Sequence, residues 1–330
     1  MSITATNASL KFDDNKVPYI DLGNGVIRLE KEPPTKEVLE RAKQELREYP
    51  DIVEPAINEL RTLIQNEKNL YLPTDDEYLT MFLRPCKFYP DSALKRVKLF
   101  ILREGIEHLQ TVVEAQGNFV SCATQRPKRL KNFSATKKWK PSKVPLTDLF
   151  KGVHLLVLAS MVEPITQICG AVVIIDMEGL PLSHVMQFTP NFAAMVLEYV
   201  QDCIQVRLKA VHIVNNSYVF NMLFAIFKPF IREKLRKRIF FHGKDMKSLT
   251  SHINKECLPP KYGGTSEIPA PPGYLFADLF ECYKKDFESK LNYKICKNKK
   301  KYYSPHFLSG VVFWIHEGEQ LKSVEKTCQP

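Results

Sequence analysis

A chain of 330 residues with 44% hydrophobic residues and a formal net charge of +10 is long enough for two domains and a sizeable core, and reads as globular. Its eight cysteines are scattered without a CxxC pair, which at this length excludes a disulfide-stapled scaffold and points to reduced thiols. The charge is local: Lys228 to Lys247 carries eight Lys/Arg against Glu233 and Asp245, and Lys284 to Lys301 carries eight Lys against Asp286 and Glu288. Such clusters suit a polyanionic partner, either phosphoinositide headgroups, acidic membrane or nucleic acid, and each also has the plainer reading of a solvated face.

In chain order, residues 1–33 show no basic segment followed by an apolar run, which argues against a secretory signal and for a cytoplasmic protein. They are polar without a sustained period and read as a flexible, extended arm. From residue 34 to about 114 the pattern is helical. Val38, Leu39, Ala42 and Leu46 share one face, as do Val53, Ala56, Ile57, Leu60 and Ile64 after Pro50. Thr74-Asp75-Asp76-Glu77 forms a capping box ahead of Tyr78, Leu79, Phe82 and Leu83, and a fourth helix runs from Asp91 to about Val113. The module is expected to hold no strands.

Gln116 to Lys143 is basic and poorly periodic, with a weak strand around Phe133. Thr147 can cap a helix carrying Leu149, Phe150, Val153, Leu156, Val157 and Met161. The run Gly170 to Met177, GAVVIIDM, has the continuous β-branched character of a strand covered on both faces in a parallel sheet. Thr189-Pro190 opens a helix with a cap and a proline at its first position, and Lys209 to Val214 is a second short strand.

The stretch from Tyr218 to Phe227 has Asn221 as its one strongly polar residue, so this helix is apolar on nearly every face. A bilayer span takes about 20 apolar residues, so this helix is too short to cross. Pro229 should kink it, and Arg232, Lys234, Arg236, Lys237 and Arg238 follow before a strand at Ile239 to Phe241. Two readings compete: a core crossover helix with a solvated basic end, and a lid over an apolar ligand whose end touches an anionic membrane. The alternation of strand and helix implies an α/β fold with a mainly parallel sheet.

Enzyme signatures are missing. No GxGxxG, GxxxxGK[ST], GxSxG or HExxH occurs, Asp176 and Glu178 read as strand-terminating carboxylates, and His154, His184, His212 and His242 show no ligand spacing. No catalytic residue, cofactor or metal is expected.

Specific strings add to this. LRPCKFYPDSA (83–93), KWKPSKV (138–144), GAVVIIDMEG (170–179), FTPNFA (188–193), FNMLFAIFKPFIREKLRKRIFFHG (220–243) and LPPKYGG (258–264) together resemble the CRAL-TRIO lipid-transfer family. Within it they look most like the alpha-tocopherol transfer protein-like members common in insects, and they are also similar to retinaldehyde-binding proteins and clavesins. The resemblance spans about Pro34 to Tyr293. It implies a helical N-terminal domain (34–114), a lipid-binding α/β domain (115–268) whose pocket is closed by a mobile helix, and a C-terminal extension with a Lys-rich tail (269–330). The family's pocket positions fall on Phe150, His154, Val157, Ile175, Leu182, Val196, Val200, Leu208 and Val211, and Phe220 and Phe224 on the gate helix join them. His154 and Val157 replace a leucine and a serine of the tocopherol binder, so tocopherol itself does not carry over. The phosphoinositide-binding cations fall on Arg207, Lys209, Lys234 and Arg238, the last two on one helical face, while a fifth falls on Cys86 beside Arg84 and Lys87.

The expected function is a carrier, peripherally and reversibly membrane-associated, for one hydrophobic small molecule such as a retinoid, tocopherol or phospholipid, acting as a monomer without nucleic acid. The alternative is a lipid-sensing adaptor whose Lys-rich tail, disordered by default, binds a partner.

Overall fold

In a computed structural model, which describes residues 7–68, 70–104, 121–124, 130–131, 139–269, 271, 273–286, 294–297 and 300–301, the expected arm is folded. Strands β1 (Ser9–Phe12), β2 (Pro18–Asp21) and β3 (Val26–Ile27) form an antiparallel sheet in that order. The Asp13 carboxylate accepts from the Asn15 and Val17 amides and Asp21 from Gly23, which fixes the two turns. Ile20, Leu22, Ile27 and Leu29 are buried, and this apolar burial rather than any periodicity anchors the segment. From residue 9 onward the extended-arm expectation is corrected.

Helices α1 (Lys36–Leu46), α2 (Pro50–Gln65), α3 (Asp76–Leu83) and α4 (Pro90–Glu104) follow, with the two-residue strand β4 (Leu70–Tyr71) before α3. Thr35 caps α1 and Asp75 caps α3, its carboxylate accepting from the Tyr78 amide at 2.9 Å. Leu60, Ile64, Tyr78, Leu79, Phe82, Val97 and Phe100 interlock in one core with the N-terminal strands. The end of α4 expected near Val113 lies outside the described residues, as does the strand expected at Phe133.

The second half begins with β5 (Ser121–Thr124) and β6 (Leu130–Lys131), then α5 (Leu146–Met161), α6 (Pro164–Cys169), β7 (Ala171–Asp176), α7 (Leu182–Val185), α8 (Pro190–Glu198) and β8 (Leu208–Val214). It continues with α9 (Tyr218–Phe227), α10 (Glu233–Arg236), β9 (Ile239–Gly243), α11 (Met246–Thr250) and α12 (Gly273–Cys282). Helix α5 starts one residue before Thr147, which sits in its first turn instead of capping it. The sheet order is β6-β5-β7-β8-β9. β7, β8 and β9 are parallel as the alternation requires, while β5 runs antiparallel to both its neighbours, so the sheet is mixed.

The first part of the Lys-rich tail is also ordered. β10 (Lys294–Lys297) pairs antiparallel with β4, Lys294 opposite Tyr71 and Ile295 opposite Leu70, and then with β11 (Lys300–Lys301). These pairings correct the disorder expected of Lys294–Lys297 and Lys300–Lys301, and the expectation of a strandless helical module.

Candidate functional site

Side chains of β7 alternate across the sheet, so Ala171, Val173 and Ile175 face one side and Val172 and Ile174 the other. Strand β8 would carry the alternation from Leu208 through Ala210 to His212, but a register shift leaves Lys209 as an extra residue: Ala171 pairs with Leu208 and Val172 with Ala210. The bulge reverses the phase, and Leu208, Val211 and Ile213 join the face of Ala171, Val173 and Ile175. Ile239 of β9, opposite Val211, extends it.

This face is one wall of a cavity of about 290 Å³. Phe150 and Val157 of α5, Val196 of α8 and Val200 just beyond it form the second wall, and Phe220, Leu223, Phe224 and Phe227 of α9 cover the top together with Ile231 and Leu235. The remaining wall comes from segments not assigned to the site beforehand: Ile27 and Leu29 after β2, and Phe276, Leu279 and Phe280 of α12. Every described lining residue is apolar. Of the residues singled out from the sequence, Phe150, Val157, Ile175, Val196, Val200, Leu208, Val211, Phe220 and Phe224 meet in this cavity. Leu182 does not. It opens α7 behind Pro181 and is 48% exposed, beside the still more exposed Met186. The side chain of His154 lies outside the described residues.

Helix α9 presents two apolar faces. Phe220 and Leu223 are buried while Tyr218 is 79% exposed and Met222 is exposed as well. Ring contacts hold it to the body: Phe227 lies 5.7 Å from Phe188, and Phe224 5.1 Å from Phe241 at the sheet edge. Asn215 ahead of it has a left-handed φ of 54° and is tied by its side chain to Asp176 at 2.8 Å. At the other end Lys228–Phe230 form a 3-10 turn around Pro229, and Ile231 turns extended, separating α9 from α10.

The cations sit at the start of β8. Arg207 and Lys209 both donate to Glu45 Oε2 of α1, at 2.7 and 2.5 Å, and Arg207 also donates to the Ile168 carbonyl. Arg238 donates to the Leu208 carbonyl, between those two residues. It lies in the turn before β9, beyond the last residue of α10, so Lys234 and Arg238 do not share a helical face. Lys234 is exposed. Burial pushes the Cys86 thiol upward, against the opposing pull of Arg96 and Lys234, so the cations beside Cys86 come from α4 and α10. Arg84 is committed elsewhere: it meets Glu48 at 2.7 Å and Gln167 at 2.5 Å in a mostly buried cluster.

On the opposite face of the sheet, His212 Nδ1 lies 2.9 Å from His242 Nε2, His242 Nδ1 lies 2.8 Å from Ser248 Oγ, and the His252 ring sits tilted against His212 and edge-on to His242. Burial, then the neighbouring imidazoles of His242 and His252, bring His212 down to about 4. A depressed histidine favours the fold when neutral, so its contribution is complete above pH 6.5 and is lost as the pH falls toward about 4. Denaturant unfolding is expected to show stability dropping by up to ~1.4 kcal/mol per pH unit across that window. His212→Phe should flatten the slope, and an unchanged slope would place the sensitivity elsewhere.

Residues 114–264 match the CRAL/TRIO domain family. Over 263 residues, 71% of this chain, it is 31% identical to the alpha-tocopherol transfer protein-like protein of Homo sapiens, 74% of which is covered. The alpha-tocopherol transfer protein-like protein of Mus musculus is 32% identical over 255 residues, 70% of this chain and 71% of its own. Clavesin-2 of Mus musculus is 29% identical over 248 residues, covering 69% and 74% respectively. With helices ahead of a β7-β8-β9 parallel core, an apolar cavity on one face of that sheet and relatives matched over most of both chains, the protein belongs to the CRAL/TRIO family.

Proposed function

We propose that the protein is a carrier that takes up one hydrophobic small molecule in this cavity and exchanges it at phosphoinositide-containing membranes, with α9 as the lid. The observation that carries the reading is the cavity wall, apolar at every described position. Burial in it is worth roughly 0.8 kcal/mol per methylene, which suits a molecule built of hydrocarbon, of the retinoid, tocopherol or phospholipid-like kind. Relatives named for tocopherol transfer support the same reading. Helix α9 covers the top of the cavity and is bounded by breaks at both ends, so its movement would widen the path by which a ligand enters and leaves. Its exposed Tyr218 and Met222 would then meet lipid, and the basic residues of α10 the headgroups.

The test is extraction of a stoichiometric lipid from vesicles followed by its delivery to a second vesicle population. A lipid that stays bound through the assay would favour a sensor over a carrier. The membrane step has its own check in Lys234, which is exposed and so can be reversed without disturbing the sheet. Two units of charge change near an anionic surface at about 1 kcal/mol each predict that Lys234→Glu weakens phosphoinositide-vesicle binding on the order of thirtyfold. Equal sedimentation of the two proteins would remove Lys234 from the contact. Arg238 is unsuitable for this test, because its guanidinium also caps the Leu208 carbonyl.

A further inference from the structure

The cavity runs lengthwise along one strand. Ala171, Val173, Ile175 and Met177, every second residue from the start of β7 to just beyond its end, all reach it. At about 3.3 Å per residue this wall is about 20 Å long. Its two ends lie in different packing clusters: Ala171 packs with Val206, Phe276 and Leu279, and Met177 with Phe188, Phe220 and Leu223. The Ala171 end is capped. Ile27, Leu29 and Ala159 join its cluster, and each of these lining residues is buried, whereas Phe224 and Phe227 of α9 are only half-buried. Nothing described along the wall offers a hydrogen bond. Ala171 to Ile174 is paired on both edges, to β5 and to β8, so its amides and carbonyls belong to the sheet, and every described side chain at the cavity is apolar. A hydroxyl or carboxyl carried into the chamber would lose its water without a replacement. At the capped end stand two alanines, Ala159 and Ala171, where any larger side chain shortens the space.

We propose that the ligand is a long-chain lipid whose one polar group is terminal, lying along β7 with its hydrocarbon tail at Ala171 and its polar end toward α9, and that Ala159, Ala171 and Leu29 set the chain length accepted. The inference rests on the carrier reading and narrows it to a substrate class. Each methylene that fits against the wall raises affinity about fourfold. The first methylene past the capped end gains nothing, because it has to displace buried side chains or push the polar terminus out of place. A polar group in mid-chain is rejected for a different reason: it is held beside β7, where no described partner receives it. Length and the position of the polar group are thus read by separate parts of one chamber.

The experiment measures the affinity of the full chain for saturated fatty acids of increasing length, by displacement of the fluorescent polyene cis-parinaric acid. Wild-type affinity should climb about fourfold per methylene and then stop at a defined length. Ala171→Leu should bring that limit down by about three methylenes, the carbons that leucine has beyond alanine. Leu29→Trp narrows the same end from a different segment, so the test survives if the first variant fails to fold. A limit that neither variant moves overturns the proposal. On the wild-type protein alone, stearate bearing a mid-chain hydroxyl should bind at least about tenfold more weakly than stearate, and equal affinities likewise overturn it. Extraction and delivery of vesicle lipid, measured in parallel, separates the two claims. Delivery without fatty-acid binding removes the long-chain ligand and leaves the carrier, and a length limit that moves as expected without delivery removes the carrier and leaves the chamber.

Discussion

Phe224→Asp is expected to abolish ligand loading while leaving a folded protein. Phe224 lines the cavity from α9 and touches Phe220 and Phe241, but it is only half-buried and its helix lies on the sheet instead of within it. A carboxylate there is tolerated while water reaches it and is stranded once an apolar ligand fills the space. An ionised group left unpaired in such a wall costs several kcal/mol, so affinity should fall by more than about a hundredfold. Phe220→Asp is a different experiment on the same helix. Phe220 is 3% exposed and belongs to the cluster with Trp139, Phe188 and Ile213, so its replacement should lower the melting temperature as well. If Phe224→Asp unfolds the protein to the same degree, α9 is fixed core. Hydrogen exchange gives the independent measure: amides of α9 as protected as those of Ala171–Asp176 without ligand would end the lid interpretation.

The second large effect is expected at Gly264→Ala. A Cβ on Gly264 would lie closer than 3.0 Å to the carbonyl oxygen and carbon of Leu258, and these are backbone atoms that cannot swing aside. The loop they belong to covers the back of the sheet, where Leu258 and Tyr262 pack on Ile174 and Val214, and the Tyr262 hydroxyl donates to Asp176 at 2.9 Å. Opening that loop to admit one methyl group exposes a core, so the loss should be ~4 kcal/mol or more and show as poor expression or a strongly lowered unfolding midpoint. A stability within ~1 kcal/mol of wild type would mean that the loop can move as a unit.

The contrast between what the sequence revealed and what it hid follows from periodicity and sequence distance. Helices α1 to α3, strand β7 and the break at Pro229 were legible because each carries a period, a cap or a proline whose effect is local. The N-terminal sheet was not, since strands of two to four residues interrupted by turns give alternation too few positions to register. Among site residues, strict alternation in β8 puts Leu208 and Val211 on opposite faces, and only the bulge at Lys209 unites them. Their assignment to one pocket came from resemblance, and Leu182 shows the limit of that transfer. The bond between Glu45 and Arg207 joins positions 162 residues apart, and no local pattern marks either as the other's partner.

The cavity wall also has a consequence for the order in which the chain can be made. Ile27 and Leu29 face the same space as Phe276, Leu279 and Phe280, so nearly the whole polypeptide must leave the ribosome before the last panel is in place. Until then Val211, Phe224 and their neighbours present bare hydrocarbon to water for the many seconds that elongation at about 5–20 residues per second requires. A nascent chain with such distant closing contacts folds slowly and is open to aggregation, and any apolar metabolite or chaperone able to cover the half-built face would act as a folding partner first.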